Sequence, residues 1–196
     1  MTRTRAEDYD VKTQMILDKA AQLFAQVGYP AARMIDIAKE CGVSKSMLYH
    51  YFPAKDDILL AMLSEHADGM ISAVEEILGA KGKAEARFGM FINSYLHKSA
   101  HARRRHLVAV NDTKFLPKKM QKILVDRERK LLSLLARLMN ELNPNLDVDL
   151  YKPYALLLIG MLNWIETWYK PGGKITDAEL CERVSRLYLR GFLAER

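Results

Sequence analysis

An all-α fold follows from three observations on the chain of 196 residues. Apolar residues recur at helical spacing throughout, no convincing run of period-two alternation interrupts them, and Gly, Pro and Asn gather at short intervals where helices must stop. The first helix is expected from about Val11 to Val27, with Ile16, Ala20, Leu23, Phe24 and Val27 on one face and Gly28 at its end. Two short helices, about Met34 to Cys41 and Lys45 to Tyr51, follow on either side of Gly42-Val43-Ser44. Neither can stand alone, so both must pack on the first. Pro53 marks the next break, because the residue before a proline is pushed out of helical geometry.

A long helix then runs from near Lys55 towards Leu78 and ends at Gly79-Ala80-Lys81-Gly82. Further helices are expected at about Lys83 to Lys98, Arg103 to Phe115, Pro117 to Leu142, Val148 to Tyr169 and Thr176 to Ala194, making about nine in all. Pro117 suits a first helical turn, and Asn143-Pro144-Asn145 and Pro171-Gly172-Gly173 suit the connections.

Composition narrows the class. With 49% hydrophobic and 28% charged residues the chain reads as a soluble globular protein. Its most apolar stretch, Tyr154 to Leu162, is far short of the roughly 20 residues a membrane helix needs. No targeting signal is legible at the start, so the expectation is a cytoplasmic protein with no membrane partner. Cys41 and Cys181 lie far apart without CxxC spacing, which suggests neither a disulfide framework nor a zinc ribbon. The formal charge of +6 suits a nucleic-acid binder, but it is unevenly placed. Residues 1–97 hold 11 Lys/Arg against 13 Asp/Glu, residues 98–130 hold 11 against 3, and residues 131–196 hold 8 against 8.

The most informative stretch runs from Ile35 to Phe52. Ile37, Ala38 and Cys41 give a short helix one small apolar face, Gly42 permits a tight turn, and Val43 and Leu48 can fill the angle between two helices. This is the pattern of a helix-turn-helix. Ser44 stands at an N-cap, so the second helix starts at Lys45 with its first residues outward, as in units that enter the major groove.

Ile37-Ala38-Lys39-Glu40-Cys41-Gly42-Val43-Ser44, followed by the run from Leu48-Tyr49-His50-Tyr51-Phe52-Pro53 to Leu59, resembles the signature of the TetR family of bacterial regulators. The likeness covers roughly residues 11–62. It implies a DNA-binding head at residues 1–55, a body at 56–196 for effector binding and dimerisation, and double-stranded operator DNA as partner. By the same resemblance Tyr49, His50 and Lys55 lie where phosphates are contacted and Lys45, Ser46 and Met47 where bases are read. Phosphate contacts fix register, whereas base-edge contacts specify sequence. Tyr51 and Phe52 are assigned to the core of the head. The chain departs from the family at Ala32, Arg33 and Ile35, where a Thr or Ser cap and a basic residue are common; Arg33 is the candidate to replace that phosphate contact.

In the body, Asn163-Trp164 followed by Trp168-Tyr169 and Pro171-Gly172-Gly173 resembles a TetR branch linked with fatty-acid, aromatic or steroid catabolism, whose effectors are often acyl-CoA thioesters. Asn163, Trp164 and Trp168 are therefore expected at an apolar effector cavity with one polar handle, walled by Met90, Phe91, Met139 and Met161. A packed core or a dimer seam would use the same tryptophans. The basic segment is either a solvated surface or, through Arg103 and Arg104 with help from Lys114 or Lys118, a site for the phosphates of an acyl-CoA. Leu180, Val184, Leu187, Tyr188 and Phe192 form a stripe expected to serve partly as the seam of a homodimer. His97 and His101, with His106 nearby, have no carboxylate in their cluster, so neither a metal nor a cofactor is expected. An acyl-CoA-acting or metal-assisted hydrolase is the alternative, and no nucleophile-base constellation supports it. A non-specific architectural DNA binder is disfavoured by the acidic balance of residues 1–97.

Overall fold

A computed structural model describes residues 2–170 and 172–195, and the side chains of these other than 2–6, 97–104, 110 and 166. The described residues form eight α-helices and two single 3-10 turns, with no strand among them. In order the helices are α1 (Thr2–Val27), α2 (Met34–Glu40), α3 (Lys45–Tyr51), α4 (Lys55–Gly79), α5 (Ala84–Asp112), α6 (Lys118–Leu142), α7 (Tyr151–Trp168) and α8 (Asp177–Phe192). The 3-10 turns, Thr113–Phe115 and Val148–Leu150, precede α6 and α7.

Two boundaries differ from expectation, for the same reason. α1 begins at Thr2 rather than near Val11, and the two helices expected between Lys83 and Phe115 are one helix of 29 residues. Neither Thr2 to Asp10 nor Ser99 to Ala102 contains a proline or glycine, and the latter is alanine-rich, so helix propagates through both. At two turns of the helix-turn-helix region glycine permits the change of direction. Gly28 (φ 79°) closes α1 with its N–H on the Phe24 carbonyl at 2.9 Å, and Gly42 (φ 65°) makes the corner between α2 and α3.

The chain divides into two compact units: Met1–His66 with Arg104–Val125, and Ala67–Arg103 with Asp126–Arg196. The first unit is thus larger than the expected head of residues 1–55. Its core joins Ile16, Ala20 and Phe24 of α1, Ile37 and Ala38 of α2, Leu48 of α3 and Ile58, Leu59 and Met62 of α4 to Val108 of α5 and Leu116. Met120 and Leu124 of α6 pack against the same cluster. These residues of the basic segment spend their apolar side on the core of the helix-turn-helix unit.

The second unit has its own core, built from Phe88 and Ile92 of α5, Leu135, Leu138 and Met139 of α6, Leu158 and Leu162 of α7, and Leu180, Val184 and Phe192 of α8. Its polar fixings are specific. The Asn143 amide donates to the carbonyls of Phe192 (3.1 Å) and Glu195 (3.0 Å), while the Asn143 carbonyl accepts from the Tyr151 hydroxyl at 3.0 Å. α8 opens with a capping box, in which the Thr176 hydroxyl accepts from the Glu179 N–H and the Glu179 carboxylate accepts from the Thr176 N–H.

Candidate nucleic-acid interface

The recognition element is set by three small devices. Leu48 is fully buried and anchors α3 to the core. Ser44, in extended geometry, accepts the Met47 N–H at 3.1 Å through its hydroxyl and so fixes where the helix begins. Val43 N–H donates to the Ala38 carbonyl at 3.0 Å, tying the turn to α2. With these in place Lys45, Ser46, Tyr49 and His50 are exposed and Met47 is half-buried. The Lys45 ammonium lies 5.7 Å from the centre of the Tyr49 ring, one helical turn on, so a cation and a phenol present a joint face.

Two of the sequence-derived phosphate candidates are engaged elsewhere. Arg33 precedes α2 without capping it by a side-chain bond, and its guanidinium forks onto Asp36 at 2.8 and 2.9 Å. That hydrogen bond holds the Asp36 carboxyl below its ordinary range. The pair is solvent-exposed, and an incoming phosphate can compete for the guanidinium. Lys55 is different. Its ammonium donates to the carbonyls of Tyr29 (2.7 Å), Ala32 (2.7 Å) and Pro30 (3.4 Å) and sits 4.3 Å from the centre of the Tyr29 ring. Burial lowers its pKa. An ammonium has three protons, and three carbonyls are supplied here, so Lys55 closes the loop after α1 rather than presenting a charge outward.

Tyr29 completes that junction. Its hydroxyl donates to Asp56, its ring stacks on Phe115 at 6.0 Å, and its backbone hydrogen-bonds the buried Asp112 carboxylate, whose pKa is raised by desolvation against that bond. Sequence reasoning did not single out Tyr29 for this role, nor Tyr9, which stacks on Tyr51 at 4.7 Å and links α1 to the end of α3. Phe52 is buried as expected, and Tyr51 is half-buried against Tyr9.

Among the effector candidates, Phe91 is buried and Met161 half-buried. Asn163 accepts a hydrogen bond from the buried Tyr95 hydroxyl, so a polar pair does sit between α5 and α7. Trp164 and Trp168 do not join it. They are 67% and 49% exposed, and Met90 on α5 is exposed as well, so none of the three lines an enclosed cavity. The helical period explains this: Trp164 follows Leu157 by seven residues and Trp168 follows Trp164 by four, so the tryptophans share an outward stripe with Leu157, whereas Asn163 projects about 100° away. Arg103 and Arg104 lie outside the described side chains. Arg105 bonds Asp18 (2.6 Å) and Glu65 (3.1 Å) within the first unit, and the buried His106 meets His66 at 3.3 Å. Among the described residues no group of three or more His, Cys, Asp or Glu gathers as a metal site; the side chains of His97 and His101 lie outside those described. No helix among the described residues is long and apolar enough to cross a membrane.

Two family models match the chain. One, described as bacterial regulatory proteins of the tetR family, covers residues 16–62, the whole helix-turn-helix. The other, described as a tetracyclin repressor-like C-terminal domain, covers residues 81–192, more than half of the chain. The chain belongs to the TetR family. A TetR-family transcriptional regulator from Bordetella parapertussis 12822 is 32% identical with a TM-score of 0.84, covering 94% of this TetR-family chain and 97% of its own. The HTH-type transcriptional repressor KstR2 of Mycolicibacterium smegmatis is 27% identical over 90% of this chain and 88% of its own length. The structure of AibR in complex with isovaleryl coenzyme A and operator DNA shares the fold, with 21% identity and a TM-score of 0.75 over 94% of this chain and all of its own. As a TetR-family member the protein is a helix-turn-helix transcriptional regulator.

Proposed function

We propose that this regulator is a repressor that binds a palindromic operator as a homodimer and is released by a small-molecule effector of the acyl-CoA class. The observation that carries the reading is the capped, outward-facing start of α3. Lys45, Ser46 and Met47 are the residues assigned to base edges, with Tyr49, His50 and Arg33 on the flanking phosphates. The proposed contact set leaves out Lys55, because its ammonium bonds inward to the carbonyls of Tyr29 and Ala32.

One head reads too few bases for a unique site, and a two-fold pair doubles the reading. The seam is assigned to the stripe of Leu157, Trp164 and Trp168 on α7 with Leu187 of α8, the last 70% exposed. This replaces most of the α8 stripe read from sequence, since Leu180, Val184 and Phe192 are buried inside the second unit. A shallow groove of about 280 Å³ lined by Leu157, Met161, Leu187 and Tyr188 lies along the same face. Contiguous exposed tryptophan and leucine are characteristic of surfaces that meet a partner.

The effector class is supported by AibR, crystallised with isovaleryl coenzyme A, and by the Tyr95–Asn163 pair, which supplies a polar handle among the apolar side chains of Phe91 and Met161. An effector releases DNA only by binding the DNA-incompetent arrangement more tightly. The test is selection of duplexes from a random pool by the purified protein, followed by titration of the selected complex with acyl-CoAs and the matching free acids. A palindromic site released by thioesters and not by the acids is expected. A site without two-fold symmetry, or release by the acids alone, would refute the reading.

A further inference from the structure

We propose that the corner between α5 and α6 is a second DNA-contacting surface, on which Lys114, Lys118, Lys119 and Lys122 hold backbone phosphates outside the half-site read by α3. The inference rests on the DNA-binding reading above and extends it to residues the helix-turn-helix does not contain.

The charge of the unit is the first ground. Residues 1–66 hold eight Lys/Arg against nine Asp/Glu, so the helix-turn-helix is nearly neutral on its own. Residues 104–125, which fold with it, hold six against one. Five of the eight surplus charges of residues 98–130 therefore belong to the unit proposed to meet DNA, and duplex affinity is dominated by phosphate neutralisation.

Pairing is the second ground. All four lysines are exposed and none is bridged to a carboxylate among the described residues, although Lys114 lies 5.3 Å from the centre of the Phe115 ring and acts electrostatically on Asp112, which leaves Lys118, Lys119 and Lys122 as the cations without a described partner. Further along α6 the pattern reverses: Arg127 pairs with Asp68, Arg129 with Asp126 and Lys130 with Glu75. One helix thus carries neutralised cations at one stretch and unneutralised ones at another. Two of them, Lys118 and Lys119, also oppose the peptide dipoles, since they stand in the first turn of α6 with no acidic residue. Stability alone would favour the opposite choice.

Position is the third. Phe115, next to Lys114, stacks on Tyr29; Asp112 bonds the Tyr29 backbone; and Lys55 holds the carbonyls of Tyr29 and Ala32. The corner is therefore locked to residues 29–32, immediately ahead of α2. In a helix-turn-helix the first helix crosses the DNA backbone. The lysines add cations beside the start of α2, where Arg33 is paired with Asp36, along phosphates that flank the bases being read.

The test compares the full-length protein with a variant carrying Lys114→Gln, Lys118→Gln, Lys119→Gln and Lys122→Gln, using mixed-sequence duplexes of about two and about four helical turns. On the longer duplex the slope of log affinity against log salt should flatten by about two to four per bound protomer in the variant, each phosphate contact accounting for about 0.9. On the shorter duplex, which lacks flanks, the change should be one at most. Arg129→Gln with Lys130→Gln, at paired cations, should leave both slopes as they are. Thermal melting should be equal or higher in the lysine variant, because repulsion from the helix dipole is relieved. A parental slope on the long duplex, an equal loss on both lengths, or lost binding of free coenzyme A with DNA slopes intact would each overturn the proposal. If the parent protein binds neither duplex, the DNA-binding reading itself fails and this one with it.

Discussion

Lys55 shows how much a single side chain's surroundings decide. At its place in the motif an ammonium is a natural phosphate ligand, yet here its protons go to the carbonyls of Tyr29, Pro30 and Ala32. Lys55→Ala strands those carbonyls and removes the cation over the Tyr29 ring, at a cost of about 1–2 kcal/mol. The expected outcome is a lower melting temperature with an unchanged salt slope of DNA binding. A flattened slope at unaltered stability would instead return Lys55 to the DNA. The motif was legible residue by residue, but the direction of this side chain was not. It depends on Tyr29 and Ala32, whose carbonyls reach it only through the loop that follows Gly28.

Among the α-helices, α3 shares with α2 the shortest length and depends strongly on its ends. Its seven residues cannot hold helical geometry alone, so the Ser44 cap and the buried Leu48 do so. Ser44→Ala should cost about 1 kcal/mol and weaken DNA binding by more than the loss of one contact, because Lys45, Ser46 and Met47 lose their common frame. Hydrogen exchange at the Met47 amide is the direct check: unchanged protection would show that the cap is dispensable. The two short helices and their turn fall close to where the sequence places them, because glycine, serine and proline punctuate that region densely. α5 was misread as two helices because Ser99 to Ala102 is polar enough to imitate a break and contains no residue that makes one. Trp164 and Trp168 carried a different ambiguity. Large apolar residues at helical spacing announce a buried face, but the spacing does not say whether a cavity, a core or another chain buries it. Only the burial of Leu158 and Leu162 on the same helix settles which stripe turns inward.

At the scale of the whole molecule, an outward α7 stripe should make the protein's assembly sensitive to charge. Trp164→Glu with Leu187→Glu is expected to yield a folded monomer in sedimentation at micromolar concentration, with operator affinity reduced accordingly. A persistent dimer would move the seam elsewhere. Stability should also fall in alkali. The phenols of Tyr29 and Tyr188 are raised, chiefly by burial, and that of Tyr169 is pushed to about 12, first by its hydrogen bond to Asp177. Unfolded tyrosines release protons near pH 10, so above that point the folded chain holds more protons than the unfolded one and stability declines through the window up to the raised values. Lys55, lowered by burial, contributes with the opposite sign below its ordinary value. Tyr188→Phe should flatten the decline of melting temperature above about pH 10. An unaltered slope would show that Tyr188 titrates alike in both states. The chain has two tryptophans, and both lie on the exposed stripe of α7. Its tryptophan emission, excited at wavelengths that tyrosine does not absorb, therefore originates at the proposed seam. The protein carries its own optical gauge of association: on dilution the emission maximum should move to longer wavelength as the indoles meet water, without a label, and with no background from a buried indole.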